Sequence, residues 1–238
     1  MTETMLLDAR SAGVRVGIFA LVAAMALPGA AAAAEWNGYA ALSTDDMFRG
    51  VSLLDTGFSV QGNLEGRFDD GLIAGAWVAK VDRQWLYQSR VPEHAEVDVY
   101  GGLDVSCGSI CRARVIVTGY FYPGPSARNW AEVTTSVSLA ERVGASVSWS
   151  PQGLGSTKAS HTVDGWLVQP LSRDLSFEFD YGVVWLGPHD YWFARAGLSQ
   201  RWRRFVFDIS EYWSDPTLQR FGLDDHSRRL VASIRTAF

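Results

Sequence analysis

The feature that most constrains this chain is a period of two that returns in blocks of about ten residues. In 58–68, Phe58, Val60, Gly62, Leu64, Gly66 and Phe68 fall on one side, and Ser59, Gln61, Asn63, Glu65 and Arg67 on the other. In 95–105, Ala95, Val97, Val99, Gly101, Leu103 and Val105 alternate with Glu96, Asp98, Tyr100, Gly102 and Asp104. In 175–185, Leu175, Phe177, Phe179, Tyr181, Val183 and Trp185 oppose Ser176, Glu178, Asp180, Gly182 and Val184. Segments 112–122, 130–140, 143–150 and 228–238 keep the rule, whereas 72–81 and 161–170 carry apolar residues on both faces. A helix would turn half of such apolar positions into water, so these blocks are strands with one apolar face.

The connections between blocks alternate in length. Short ones fall at Asp69-Asp70-Gly71, Cys107 to Cys111, Glu141-Arg142, Ser172 to Asp174 and Arg203-Arg204. Longer ones fall at 43–57, 82–94, 123–129, 151–160, 186–190 and 214–227. The pattern predicts about twelve strands, beginning near Glu35, Phe58, Leu72, Ala95, Arg112, Trp130, Val143, His161, Leu175, Tyr191, Phe205 and Arg228. An even number brings both termini to one side, with every short turn there and every long loop opposite. The expected fold is therefore all-β: an antiparallel transmembrane β-barrel with short periplasmic turns and longer extracellular loops. A soluble β-sandwich gives no reason for loop length to alternate with strand number.

The N-terminus agrees with export. Arg10 and Arg15 precede an apolar run from Val16 to Leu27, Pro28-Gly29 follows, and Ala32 and Ala34 place small residues before Glu35. This pattern predicts a signal peptide over 1–34, cleaved ahead of a barrel over 35–238. The alternative is a retained anchor helix, but an apolar core of about twelve residues falls short of the ~20 that span a bilayer. Trp149, Trp185, Trp192 and Trp213 sit at loop-side strand ends on the apolar face, with Trp202 and Phe205 near the other rim, where interfacial girdles belong. The last block, Leu230, Ala232, Ile234, Thr236 and Phe238, ends on an aromatic. That ending resembles the assembly signal of outer-membrane barrels. The expected setting is the outer membrane of a Gram-negative bacterium, with its lipid and the barrel-assembly machinery as partners.

Residues 43–50, Ser43-Thr44-Asp45-Asp46-Met47-Phe48-Arg49-Gly50, resemble the "SDYRFRG" stretch of the Gcw_chp family. Gln61-Gly62, then Gly71 with Gly75 and Trp77, then Glu96, Asp98, Tyr100 and Gly101 follow in the family's order. So do Tyr120-Phe121-Tyr122-Pro123-Gly124 and Asn129-Trp130-Ala131-Glu132-Val133. The resemblance covers roughly 40–140 by motif and the C-terminal half by pattern only. Asp46 and Met47 stand where the family usually has Tyr and Arg, so a role resting on that Tyr does not carry over. The resemblance implies an outer-membrane barrel and supplies no activity.

With apolar residues toward lipid, the opposite parity lines the lumen. The acids on that face are Glu65, Glu96, Asp98, Asp104, Glu132, Asp164, Glu178, Asp180 and Asp208, and the bases Arg67, Arg112, Arg114, Arg195, Arg201, Arg229 and Arg235. A Lys or Arg facing lipid near the midplane would cost roughly 2–4 kcal/mol, which is why such charges belong inside. Two readings stand. These groups either line a narrow porin-like channel for small polar or charged solutes, in opposed acidic and basic ladders, or pair across the lumen and plug it, leaving a structural or surface-binding barrel. The formal net charge of -5 with no basic run excludes a nucleic-acid partner.

Arg49-Gly50 tops the first long loop, either as a plain turn with Arg49 paired to Asp45 or Asp46, or as a pore-mouth cation selecting anions. Cys107 and Cys111 flank a periplasmic turn, where an oxidising compartment favours a disulfide over a metal or redox site. His94, His161, His189 and His226 fall in or beside long loops and read as solvated rather than as a metal site. A lipid-modifying enzyme would need Ser160-His161, or His226-Ser227 with Asp224 or Asp225. Adjacent residues on a strand point to opposite faces, so no catalytic set and no cofactor is expected.

Overall fold

The computed structural model describes residues 35–54, 57–83, 93–123, 129–156, 158–187, 190–220 and 227–238. The expected signal segment and two of the histidines, His189 and His226, lie outside the described residues. The chain runs β1 (Glu35–Ser43), β2 (Met47–Phe48), β3 (Val51–Ser52), β4 (Ser59–Arg67), β5 (Leu72–Arg83), β6 (Glu93–Ser106) and β7 (Cys111–Phe121). It continues through β8 (Trp130–Leu139), β9 (Val143–Ser150), β10 (Ser160–Pro170), β11 (Leu175–Trp185), β12 (Tyr191–Trp202), β13 (Phe205–Ser214) and β14 (Arg228–Ala237). A short 3-10 turn at Gly153–Gly155 and a one-turn helix at Thr217–Arg220 lie in the long connections.

Twelve of these strands close a barrel, each antiparallel to its neighbours, with β1 bonded to β4 on one side and β14 on the other. Short turns and long loops gather at opposite ends, as the alternation in connection length requires. Closure matters because hydrocarbon offers no partner to an unpaired strand edge. The seam falls between the first and last strands. There Gly38 and Phe238 exchange two backbone bonds of 3.0 Å, and the Phe238 ring covers Gly38 so closely that a Cβ would lie 2.7 Å from it. The terminal aromatic thus closes the ring, over a position that has room only for glycine.

Burial is inverted relative to a soluble protein. Leu230 is 72% exposed, Val60 60% and Ile209 58%, all on the outer face, while Ser148, Ser150, Thr162 and Ser210 are buried inside. A continuous apolar outer surface of this kind is stable only against lipid. The blocks with apolar residues on both faces now have a cause. Ile73, Ala79 and Val81 of β5 point inward and are buried, and Trp166 of β10 turns inward over Gly144 of β9. Their inner face packs against protein rather than water.

Candidate functional site

The connection between β1 and β4 does not arch outward as an extracellular loop. Met47 pairs with Ser52 and Phe48 with Val51, leaving the two-residue turn Arg49-Gly50. Both turn residues have positive φ, 51° and 78°, which is the type I′ geometry that matches strand twist and favours glycine second. The hairpin folds into the barrel. A Cβ on Gly50 would lie 2.7 Å from Cβ of Phe193 on β12 and 3.0 Å from that of Ser214 on β13.

Arg49 reaches further still, to β8 and β9. Its Nη1 and Nη2 donate to the two Glu132 oxygens at 2.7 Å each, and Nη2 also donates to Ser148 Oγ at 3.1 Å. In the ring of strands β9 stands opposite β1, so the hairpin crosses the full lumen. This corrects the sequence expectation that Arg49 pairs with Asp45 or Asp46. The side chains of Arg49 and Glu132 are 13% and 2% exposed. Burial alone works against the guanidinium's charge, but the Glu132 hydrogen bonds and charge outweigh it and raise its pKa.

Asp45 and Asp46 instead anchor the root of the hairpin. Asp45 accepts from Ser52 Oγ at 2.8 Å, from the Asp46 N–H at 2.7 Å and from Arg229 Nη1 at 3.1 Å. Asp46 accepts from Ser59 Oγ at 3.3 Å, and its carbonyl from the Leu53 N–H at 2.7 Å. Both lie in the connection, outside the spanning strands. Burial pushes the Asp46 carboxyl up to about 6; the Ser59 bond opposes the shift and the Asp45 charge adds to it.

Around the hairpin the loop end is packed with apolar groups. Val51 and Leu53 join Val81, Tyr120, Tyr122, Trp130, Val184 and Tyr191 from the wall. Leu154, Leu186 and Leu218 reach the same cluster from three other long connections. Tyr120 and Trp130 stack at 3.8 Å, and Phe48 meets both edge-on. No period-two argument finds this plug. The available signal was composition: a water-exposed loop would not carry Phe48, Val51, Leu53 and Leu54 within seven residues.

Toward the turn end the lumen is polar. Arg195 bridges three carboxylates, Glu178 at 2.9 Å, Asp180 at 2.9 Å and Asp208 at 3.0 Å, and its Nε donates to Ser210 Oγ. On the opposite wall Asp104 meets Arg67 at 3.1 Å and Arg112 at 2.5 Å, while Glu65 meets Arg67 and Arg114 at 3.0 Å. Most charges therefore pair along neighbouring strands instead of standing as two opposed ladders. Glu96 accepts from the Tyr122 hydroxyl at 2.8 Å, with Asp98 two residues along the same strand, and Asp164 accepts from Ser146 Oγ at 2.7 Å.

Two cavities remain in this polar part. One of about 220 Å³ lies under the hairpin root, among Tyr39, Asp45, Asp46, Gln61, Arg195 and Tyr212. The other, of about 550 Å³, lies nearer the turn end, among Asn37, Glu65, Arg67, Arg201 and Arg235. Tyr39, Val206 and Arg235 border both, so the two adjoin.

Cys107 and Cys111 are joined by a disulfide, with Cα atoms 5.0 Å apart. Among the described residues no group of three or more His, Cys, Asp or Glu is placed to hold a metal. Ser160 is buried and the adjacent His161 exposed, on opposite faces of β10.

The sequence pattern described as "Bacterial protein of unknown function (Gcw_chp)" matches residues 28–202. The chain belongs to the Gcw_chp family. The stretch that first suggested it, 43–50, is in this Gcw_chp barrel the approach to the plug and the tip of the hairpin. Among solved structures it is similar to a KdgM porin, at 9% identity over 85% of this chain and 99% of that one, with a TM-score of 0.52. It is also similar to a NanC porin, at 11% identity over 86% and 99%, with a TM-score of 0.53. At such identities the likeness is one of fold, an outer-membrane barrel. No match was found among curated protein sequences.

Proposed function

We propose that this Gcw_chp barrel is a narrow, gated channel for small polar or charged solutes, closed here by its own first connection. The observation that carries the reading is the contrast along the lumen. Two adjoining cavities lined by Asp45, Asp46, Arg195, Glu65, Arg67, Arg201 and Arg235 rise from the turn end to the root of the Met47–Ser52 hairpin, which lies across the lumen above them. The closure is local. It rests on a two-pair ladder, one buried ion pair and the side chains around Val51 and Leu53, so withdrawal of the hairpin need not disturb the barrel ladders. In this reading residues 1–34 direct export and are removed, and the strand ending at Phe238 is read by the assembly machinery.

A second reading is a non-conducting barrel with a permanent plug. It is favoured by the apolar cluster, to which three further connections contribute Leu154, Leu186 and Leu218. Refolded protein in planar lipid bilayers separates the two. The gated channel gives discrete, brief conductance steps; a record indistinguishable from bare lipid across voltage and pH supports the permanent plug.

A further inference from the structure

The lumen arginines fall into two groups. Arg49, Arg67, Arg112, Arg114, Arg195 and Arg229 each lie within ion-pair distance of a carboxylate. Arg201 and Arg235 have no such partner among the described residues, and both border the cavity of about 550 Å³ near the turn end. They are also in register. Arg201 of β12 faces Val206 of β13, and Val206 faces Arg235 of β14. Two strand spacings separate their backbones by roughly 10 Å, within the combined reach of two arginine side chains.

Their neighbours are short. Val206 stands between them, and Ala41 of β1 faces Arg235 from the other side. The carboxylates nearest to them, Glu35 and Glu65 on the same cavity and Asp208 two residues along β13 from Val206, form no ion pair with either guanidinium among the described residues; Glu65 is held by Arg67 and Arg114, and Asp208 by Arg195. Tyr39, two residues from Ala41 on the same inner face, borders the cavity and adds a hydroxyl. Across the lumen, by contrast, Arg67, Arg112 and Arg114 are already engaged by Glu65 and Asp104. Guanidinium groups are planar forks suited to carboxylate and phosphate oxygens, and two of them without ion-pair partners on one recess present that chemistry to a solute.

We infer that the recess between Arg201 and Arg235 is a binding site for a small solute bearing a carboxylate or phosphate, entered from the periplasmic end. The inference deepens the channel reading by naming a solute class, but it is a claim about binding and is tested without conductance. Among the described residues neither arginine has an ion-pair partner, so replacing them leaves the ion pairs described above intact.

The test is calorimetric titration of the refolded full chain in detergent at low ionic strength, with succinate, inorganic phosphate and uncharged succinamide as probes. Saturable binding of succinate or phosphate at one site per barrel, with succinamide silent, is expected; which anion binds tells carboxylate from phosphate recognition. The double variant Arg201→Gln/Arg235→Gln weakens binding at least tenfold. Val206→Glu, which keeps both arginines but gives them an internal carboxylate, does the same. Heat-modifiable migration on gels reports that each variant is folded. Absence of saturable binding by either anion, or unchanged affinity in either folded variant, overturns the inference. Binding without conductance leaves the inference standing and removes the channel; conductance without binding does the reverse.

Discussion

Replacing Arg49 by Met removes the hairpin's polar latch and keeps most of its bulk. In the docked state Glu132 then retains the Thr134 hydroxyl at 3.2 Å but loses both guanidinium bonds, with its side chain 2% exposed. Stranding a buried charge by removing its partner costs about 3–5 kcal/mol. That cost vanishes when the hairpin withdraws and water reaches Glu132, so the withdrawn population grows by roughly 10²–10⁴-fold. Val51 and Leu53 still resist, since each fully buried aliphatic side chain contributes about 1.5–3 kcal/mol. The variant therefore stays mostly docked while opening far more often. Val51→Cys, otherwise buried at 1% exposure, reports this as its rate of modification by a water-soluble maleimide, with Cys107 and Cys111 left bridged. The rate rises about 100-fold or more in Arg49→Met, on the scale of 1.4 kcal/mol per decade. It falls back most of the way in Arg49→Met/Glu132→Gln, where no charge is stranded. An unchanged rate in the single variant, or a double variant as loose as the single, refutes the reasoning.

Further expectations follow from the same geometry. Asp46 titrates near 6 when seated, against 3.8 for an ordinary Asp, so the seated hairpin favours its neutral form. The resulting stabilisation is fully present below about 3.8 and is lost as pH rises through about 6, so channel opening in bilayer recordings increases from pH 5 to pH 8. Asp46→Asn flattens that profile, and an unaltered profile rejects Asp46 as its source. Reducing the Cys107–Cys111 bridge opens only a tight turn, and loop-closure entropy for so short a loop predicts a loss of about 2 kcal/mol in urea unfolding with conductance unaffected. Ile209→Arg, on the outer face in the middle of β13, lowers barrel stability by roughly 2–4 kcal/mol in lipid if that face meets hydrocarbon. No measurable loss would place the face elsewhere.

The barrel was legible because its rule is local. Leu72, Trp130, Val143, Leu175, Tyr191, Phe205 and Arg228 open strands where alternation and turn residues place them, and the alternating connection lengths give the two ends. Each strand needs only its own residues to declare which face meets lipid. The lumen was less legible, because parity says that Arg195 or Glu65 points inward but not which partner it finds. Arg195 and its three carboxylates come from adjacent strands, whereas Glu65 and Arg114 come from strands three places apart, brought together by the curvature of the wall. Least legible was the hairpin. Its target, Glu132, lies 83 residues away, and a connection flanked by two strands reads as an outward loop unless its apolar content is weighed. Arg49 showed the same limit: its neighbours Asp45 and Asp46 look like natural partners, yet a type I′ turn carries it across the lumen to β8.

The central claim is that the Met47–Ser52 hairpin closes a lumen otherwise able to conduct. Replacing those six residues by a Gly-Ser link of equal length removes the latch and the apolar contacts of Phe48 and Val51 while leaving all twelve barrel strands intact. Efflux of a small charged solute from vesicles containing the refolded variant is the measurement. A steady, concentration-dependent release far above that of the unaltered protein is predicted. Vesicles that hold their contents as well as protein-free ones, with the variant shown to be inserted and folded, would contradict it.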